Sequence, residues 1–534
     1  MVGIARSRGC ATCRKRKIAC GLERPVCAQC IKSRRECPGY RQYPIFITHK
    51  TPQVENNLKP VAGKGAGPPV EKQSVHLRNT LKGFDACPDQ PTAIGKSGQV
   101  TALFSPDRQV SATPAIRQQL LQEYLHLHLP EGNVGLMRRR MWLLRLPELT
   151  YMTSALEFST MALCLAKLSD VYNDQSLKYE SLKLYNHGLH QLQKALWDPE
   201  LMLHDQTLAA CIALATYEMS QCPGDSKNAY ISHTRGCETL VKTRGPEAHT
   251  EGLGHQIFVH FRIQGVLYAL DQKVGTFLSE PAWRETPWRS EPKTWFDRVY
   301  GYLALAPGLL RQADMFPHLD IDGQLELALH MIPHCWKMDR ELDMLSESQR
   351  ETISGPFYWP EPLPDDTSSN DYDESLSPVA FHFPNLAIAN CVMVHWSVQT
   401  MLWHGMVQLY RLMNELKLTF ATLGRVEDEV DPDSAMGRLR SLMNCKGDVF
   451  DLPPLQHRAD FAAPARNILQ SVEYCMLDKM VDQGPKIMAA PLRIAIETLR
   501  PYPQFTQEVE WGERAMARVQ QRSLRLLVYY TGIR

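Results

Sequence analysis

The sequence predicts a small cysteine-rich metal-binding finger at the N-terminus, then a flexible linker, then a large all-α domain. Three observations predict this order. Six of the fifteen cysteines fall between Cys10 and Cys37. Residues 51–113 hold thirteen Gly or Pro and neither Trp nor Tyr. From Pro114 onward apolar residues recur at helical spacing. We therefore expect domains at 1–45, 46–113 and 114–534.

Composition and charge narrow the class of protein. Hydrophobic residues make up 44% and charged residues 22% of the 534 residues, which excludes wholesale disorder and fibrous repeats. The net charge of +1 hides an asymmetry, because residues 1–50 carry +10 and the remainder carries −9. A basic N-terminal segment on an otherwise acidic chain indicates that this segment binds a polyanion.

The sequence predicts neither a membrane segment nor a secretory signal. Runs free of charge, such as Thr207–Tyr217, are far shorter than the ~20 residues of a membrane span. Arg6 and Arg8 are followed by Cys10 rather than by an apolar stretch. We therefore expect a reducing compartment and no membrane partner, and there clustered cysteines are typical metal ligands.

The cysteine spacing contains an internal repeat. The order is Cys10-x2-Cys13-x6-Cys20-x6-Cys27-x2-Cys30-x6-Cys37, and a shift of 17 residues maps the first three cysteines onto the last three. Six thiolates could close one tetrahedral zinc site with two to spare, or two sites if two sulfurs bridge. The repeat favours two sites, with the equivalent Cys10 and Cys27 as bridges. The closely spaced cysteine run of an iron–sulfur site is absent.

A basic run lies between the second and third cysteines. Arg14-Lys15-Arg16-Lys17 would be held on a short helix by metal ligands at both ends. Arg and Lys are the usual partners of guanine O6 and N7 in the major groove. We predict that these four residues bind DNA, a role compatible with a second one in nuclear import.

The linker and the body differ in the content and spacing of their apolar residues. Residues 51–113 cannot bury enough apolar surface to fold. They contain no sustained heptad pattern, so a coiled coil is not predicted. The periodicity beyond Pro114 predicts helices, the second of them capped by Ser176, and strand-like alternation is sparse. The predicted helices cover Ile116–Leu125, Leu177–Leu196, Ala209–Met219, Val392–Leu412 and Arg514–Leu527.

An acidic stretch interrupts the body at about 359–378. It has six acidic residues, four prolines and no Lys or Arg. Two interpretations stay open: a solvated loop between helices, or an acidic-hydrophobic activation-type segment with Trp359, Tyr372 and Leu376 as its apolar contacts.

The finger resembles the fungal Zn(II)2Cys6 binuclear-cluster transcription factors. The resemblance covers residues 9–40 and rests on the six cysteines, the basic run and Pro25 in the loop between the halves. It implies two zinc ions per chain, with Cys10 and Cys27 shared, and a first helix that reads a CGG-type triplet in double-stranded DNA. By position Lys17 matches the base-contacting lysine, Arg16 the neighbouring basic position and Arg14 a phosphate contact. Ala19 and Gly21 depart from the family pattern, which often has Lys before the third cysteine and Asp after it, and neither residue is a metal ligand.

The body resembles the helical fungal-specific transcription factor region more weakly. The matching stretches are Ala213–Glu218, His233–Leu240 with Arg244-Gly245-Pro246, Phe383–Asn385 with His395-Trp396, and Ala465–Cys475. The resemblance implies a regulatory domain without established catalytic residues.

These observations predict a nuclear, DNA-binding regulator of transcription by RNA polymerase II that is not an enzyme. Its expected partners are DNA, a second copy of the chain and the transcription machinery. A helical enzyme fused to a finger is the alternative, but metalloprotease, nucleophile-elbow and phosphate-loop motifs are absent. His233 and Cys237 are spaced to share a metal, although a core pair is the more common outcome. A protein-binding zinc module would not need the +10 charge.

Overall fold

The computed structural model describes residues 11–16, 18, 20, 27–33, 35, 37, 113–128, 141–149, 151–221, 228–362, 379–423 and 452–522. Contacts divide the chain into two units, Met1–His49 and Lys50–Arg534. Except for Thr113, the predicted linker lies outside the described residues, as do Cys10 and Lys17.

The N-terminal unit contains two short helices, α1 (Ala11–Lys15) and α2 (Ala28–Lys32). Their bounds differ by the same 17 residues that relate the cysteines. Each begins directly after the first cysteine of a Cys-x2-Cys pair and carries the second cysteine in its middle turn.

The second unit is largely helical in the described residues, as the sequence predicts. Its helices, in chain order, are α3 (Thr113–His128), α4 (Ser154–Val171), α5 (Gln175–Trp197), α6 (Asp205–Gln221), α7 (Asn228–Arg244), α8 (Gly252–Asp271), α9 (Pro281–Glu285), α10 (Trp295–Leu303), α11 (Ala306–Ala313), α12 (Ile321–Thr352), α13 (Leu386–Leu423), α14 (Ala462–Gln470), α15 (Val472–Cys475), α16 (Gln483–Leu499) and α17 (Thr506–Arg522). Two strands, β1 (Trp359–Pro362) and β2 (Val379–His382), separate α12 from α13. Short 3-10 turns lie at Trp142–Glu148, Leu201–Leu203, Pro246–His249, Phe277–Ser279, Thr286–Trp288, Phe316–His318, Gln456–Ala459, Asp478–Met480 and Pro503–Phe505.

The predicted helices are confirmed over the described residues, with one difference at a helix cap. The first four lie inside α3, α5, α6 and α13, and the last lies in α17 as far as Arg522, beyond which the chain is outside the described residues. The N-cap of α5 is Asp174 rather than Ser176. Its carboxylate accepts hydrogen bonds from the backbone N–H groups of Ser176 and Leu177, and a carboxylate at a helix N-terminus also meets the positive end of the helix dipole.

Helix α6 is the central helix among α4, α5, α7 and α8. Every side chain from Leu208 to Ala215 is fully buried, and the helix packs against α4, α5, α7 and α8. A helix that is apolar on all faces must be enclosed by other elements. Alanine at four of these positions leaves room for close helix contacts.

Helices α4 and α5 form an antiparallel pair that approaches closely at Gly188. A Cβ there would lie 2.8 Å from the Ser159 hydroxyl oxygen and 3.2 Å from the Ser159 backbone nitrogen. Any side chain at position 188 would therefore push the two helices apart.

The predicted Arg244-Gly245-Pro246 motif is a helix stop. Gly245 has a φ of 77°, which side chains other than glycine rarely adopt. Its N–H donates to the Val241 carbonyl and so closes the last turn of α7. Pro246 then begins a 3-10 turn, where its missing N–H costs nothing.

The acidic stretch begins in a strand rather than in a loop. Strands β1 and β2 pair antiparallel, from Trp359 opposite His382 to Pro362 opposite Val379. The ring nitrogen of Trp359 donates to the Glu361 carboxylate at 2.6 Å. Residues 359–362 are thus part of the folded body, while 363–378 lie outside the described residues.

A partly buried polar cluster joins the start of the body to its end. Lys486 on α16 lies 3.2 Å from the ring of His128 on α3, and Asp482 pairs with Lys167 on α4 at 2.6 Å. Burial lowers the pKa of Lys486 to about 8 and that of His128 to about 4. Burial alone would raise the pKa of Asp482, but the hydrogen bond with His128 and the two lysines hold it below its ordinary value.

Among the helices that the structure describes, none combines the length and the apolar composition needed to cross a membrane.

Candidate metal centre

Sulfur forms the interior of the N-terminal unit. Cys13, Cys27 and Cys30 are fully buried, and Cys20 and Cys37 pack half-buried against them. Cys10, the sixth predicted ligand, lies outside the described residues. A unit of this size has no room for an ordinary apolar core, so ligation is what can hold it together.

The two halves of the unit repeat each other in backbone hydrogen bonding as well as in sequence. The turn that ends each helix has the same two bonds, 17 residues apart: Arg16 to Thr12 and Ser33 to Gln29, then Ile18 to Cys13 and Arg35 to Cys30, with N···O distances of 3.0–3.2 Å. The sequence repeat is therefore a repeat of local structure.

The sulfur atoms are spaced for tetrahedral metal rather than for disulfides. The Cys13 and Cys27 sulfurs are 3.7 Å apart. A disulfide would hold them at about 2.05 Å. Zinc–sulfur bonds of about 2.3 Å at the tetrahedral angle separate two sulfurs by about 3.8 Å, which matches. The donor set and its geometry thus fit zinc.

Two groups of three sulfurs share one member. Cys13, Cys20 and Cys27 form one group and Cys27, Cys30 and Cys37 the other, each within 4.8 Å. Within the described ranges no other set of three His, Cys, Asp or Glu ligand atoms is this close, and His233 and Cys237 belong to neither group. The backbone N–H of Cys30 also donates to the Cys27 sulfur at 3.4 Å, which orients it.

The predicted DNA-binding residues are described only in part. Lys15 at the end of α1 and Arg16 directly after it are exposed, while Cys13 on α1 is buried. The Arg16 guanidinium donates to the Ser33 hydroxyl at 3.1 Å and so ties the first half to the second. The side chain of Arg14 and all of Lys17 lie outside the described residues.

The repeat is symmetric in backbone but not in charge. The 17-residue offset places Ile31-Lys32-Ser33-Arg34 opposite Arg14-Lys15-Arg16-Lys17, so the second half has two bases where the first has four. Ile31 is 64% exposed at the position equivalent to Arg14. The half that begins with Cys10 is therefore the stronger candidate for contact with a polyanion.

Most of the family-like stretches of the body are packing motifs. Tyr217 stacks on Tyr185 with ring centroids 4.5 Å apart, and Asn385 caps α13 through the Ile388 N–H. The strands bring distant aromatic residues together, which no local periodicity could indicate. The cluster comprises Tyr358, Phe381, Phe383, Trp396 and Tyr474, with neighbouring centroids 4.9–6.3 Å apart.

Two family models match the chain. Residues 8–44 match the fungal Zn(2)-Cys(6) binuclear cluster domain, and residues 120–267 match the fungal specific transcription factor domain. The cluster family implies two zinc ions, in agreement with the two cysteine groups that share Cys27.

Curated fungal proteins are similar over parts of the chain. An uncharacterized protein of Emericella nidulans is 28% identical over 38% of this chain and 40% of its own length. An uncharacterized transcriptional regulatory protein of Schizosaccharomyces pombe is 56% identical over 15% of this chain and 16% of its own. Adhesion and hyphal regulator 1 of Candida albicans is 28% identical over 24% of this chain and 18% of its own. The matched segments thus span less than half of these relatives. No solved structure matches.

Proposed function

From a chain that carries a fungal Zn(2)-Cys(6) binuclear cluster domain and a fungal specific transcription factor domain, we propose a sequence-specific DNA-binding regulator of transcription. The observation that carries the proposal is the cluster itself, with buried sulfurs at zinc spacing, exposed Lys15 on the short helix α1 and exposed Arg16 directly after it. The proposed zinc ligands are Cys10, Cys13, Cys20, Cys27, Cys30 and Cys37, with Cys10 and Cys27 bridging.

The first half of the finger is the proposed DNA reader. Zinc would hold α1 rigid before DNA arrives, so that little chain entropy is lost on binding. Arg14, Lys15, Arg16 and Lys17 would then contact DNA, with Lys17 toward base edges of a CGG-type triplet. The lower charge of the equivalent run in the second half supports this choice.

The remaining parts receive proposed roles from their composition and packing. We take 1–45 as the DNA-binding domain, 46–113 as a linker that gives reach, and 114–534 as a regulatory body that acts in the nucleus on transcription by RNA polymerase II. The body is proposed as non-catalytic, since buried charged groups such as Asp339 and Arg458 bond to each other and to packing residues such as Trp403.

Selection of bound sequences from random DNA tests the proposal. The full zinc-loaded chain should enrich sequences that contain one or two CGG-type triplets, and the Cys27→Ser variant should enrich none. If the zinc-loaded chain enriches no sequence over the starting library, the proposed function is wrong.

A further inference from the structure

Two thiols of the body meet between neighbouring helices. Cys211 on α6 and Cys237 on α7 lie with their sulfurs 3.2 Å apart, and both side chains are fully buried. Both thiols are free. Neither belongs to the finger, and the proposed function uses neither.

The two thiols are not equivalent. The Cys237 thiol donates to the Cys211 sulfur, and the Cys211 sulfur lies 3.8 Å from the His233 carbonyl oxygen, one turn before Cys237 on α7. The hydrogen bond from Cys237 lowers the pKa of Cys211 to about 6 against the opposing effect of burial. Burial raises the pKa of Cys237. Cys211 is thus the more acidic thiol, and Cys237 is placed to react with it second.

The other buried thiols of the body provide a comparison. Cys164 and Cys475 are also fully buried, yet within the described part of the chain neither has a second thiol in hydrogen-bonding range. For both, burial raises the pKa, which is the ordinary behaviour of a core cysteine. The pairing therefore distinguishes Cys211 and Cys237 from simple core residues.

We propose that Cys211 and Cys237 form an oxidative modification site, which a hydroperoxide converts to a disulfide that links α6 to α7. The sulfurs need to approach by about 1.1 Å to reach the bond length of about 2.05 Å. A side-chain rotation or a small helix shift supplies such a movement.

The chemistry balances in two steps. The Cys211 thiolate attacks the hydroperoxide, the O–O bond breaks, and the products are a sulfenic acid on Cys211 and one molecule of alcohol or water. The Cys237 sulfur then attacks the Cys211 sulfur. The S–O bond breaks, water leaves, and the disulfide forms. The two thiols lose two protons and two electrons, which the hydroperoxide accepts.

Burial sets the rate and the selectivity of this reaction. Fully buried sulfurs are reached only when the helices open transiently, so the reaction is slower than at an exposed thiol. Once Cys211 is oxidised, the neighbouring thiol is nearer than any solvent nucleophile. The disulfide would then hold α7 against α6. The regulatory domain could transmit this change.

Peptide mapping of the full zinc-loaded chain tests the proposal. The chain is treated with hydrogen peroxide, quenched with catalase, unfolded in N-ethylmaleimide and digested without reductant. We expect one cross-linked species that joins the Cys211 and Cys237 peptides, is two hydrogens lighter than their sum, and is reversed by dithiothreitol. Cys164 and Cys475 should be recovered fully alkylated. Full alkylation of Cys211 and Cys237, or their higher oxidation without a cross-link, would overturn the proposal.

Variants give a second measurement. Oxidation should raise the melting temperature of the body in the wild type and in Cys164→Ala, but not in Cys211→Ala or Cys237→Ala. A rise that persists in both paired variants contradicts the proposal. If a paired variant does not fold, the peptide map of the wild type still decides. Neither readout depends on DNA binding, so failure here leaves the proposed function untouched.

Discussion

Cys27 is the residue on which both halves of the finger depend, because its sulfur belongs to both three-sulfur groups. Structural zinc contributes on the order of 10–16 kcal/mol of apparent binding free energy, and in so small a unit this is the folding free energy. We expect Cys27→Ser to lose both zinc ions, whereas Cys37→Ser, which belongs to one group, should retain more zinc than Cys27→Ser. Metal analysis of the dialysed full chain measures this.

The helical body provides the internal control for that experiment. Its far-ultraviolet circular dichroism should be the same in both variants, since the substituted cysteines belong to the other compact unit. A wild-type chain that holds one zinc ion, or iron, would contradict the bridged cluster.

Lys17 and Arg34 are a matched pair for testing which half reads DNA, because the 17-residue offset places them at equivalent positions. We expect Lys17→Ala to reduce discrimination between a CGG-type site and a scrambled site by about 1–3 kcal/mol, roughly 5- to 150-fold. Arg34→Ala should weaken both sites equally and slightly. Fluorescence anisotropy at one fixed salt concentration gives the four affinities. An equal loss on both sites for Lys17→Ala would refute the base-contact assignment.

At this scale the sequence predicted which residues bind metal better than it predicted which distant residues are in contact. Cysteine spacing encodes the metal site because both ligands of each Cys-x2-Cys pair lie on one helical turn. The contact between Cys211 and Cys237 depends on how α6 packs on α7, and the contact between His128 and Lys486 spans 358 residues. Local patterns contain no information about such contacts.

At the scale of elements, the β1–β2 pair brings together the two residues that flank 363–378. In sequence, residues 363–378 lie between Pro362 and Val379. These two flanking residues lie opposite each other in the strand pair. We expect replacement of 363–378 by a short Gly-Ser linker to leave the melting temperature within a few degrees and DNA binding unchanged. Differential scanning fluorimetry and anisotropy check both. An insoluble product would show that the segment is structural.

A reporter assay with a charge variant separates the two interpretations of this segment. Asn or Gln replaces its five acidic residues, Asp365, Asp366, Asp371, Asp373 and Glu374, and the length stays the same. If the segment activates transcription, both the charge variant and the deletion lower reporter output. If it is a plain loop, neither does.

Helices were predictable as elements, while the strands were not. The 3.6-residue period is visible over stretches such as α3 and α5, so their existence followed from the sequence. Strand β1 reads Trp-Pro-Glu-Pro, and proline is typical of loops because it donates no hydrogen bond to a ladder. A strand with a single pairing partner tolerates proline, and tertiary contacts with β2 overrode the local signal.

At the scale of the whole molecule, we expect four histidines with lowered pKa values to make the body acid-sensitive. Burial lowers the pKa of His128, His249, His260 and His395 to about 4. In the unfolded chain they take up protons near pH 6.5, so stability falls as pH falls from 6.5 to 4, by up to about 3 kcal/mol for each histidine. We expect the melting temperature of the body to decrease steadily over this range.

Two variants isolate the histidine effect. His395→Gln removes a buried histidine and should make the decrease shallower, whereas His334→Gln changes an exposed one and should not. A melting temperature that is constant between pH 7 and 5 would contradict the assignment.

The number of chains bound to one DNA molecule should depend on the number of triplets that the DNA contains. A single finger covers a triplet, which is too short to be selective among genomic competitors. We expect residues 1–60 to bind as a weak monomer and the full chain to bind more tightly as a dimer on two triplets, through effective concentration. Sedimentation on DNA with one or two triplets measures this. One bound chain on both DNAs, with equal affinity, would mean that the protein acts as a monomer.

The strand register that places Pro362 opposite Val379 also has a consequence for engineering. Chain that leaves and re-enters a folded body at adjacent points can be lengthened at small entropic cost, about 0.6 kcal/mol for each doubling of the loop. A fluorescent protein whose own termini lie close together could therefore be inserted between 363 and 378, and would report on the protein inside living cells without a tag at either end.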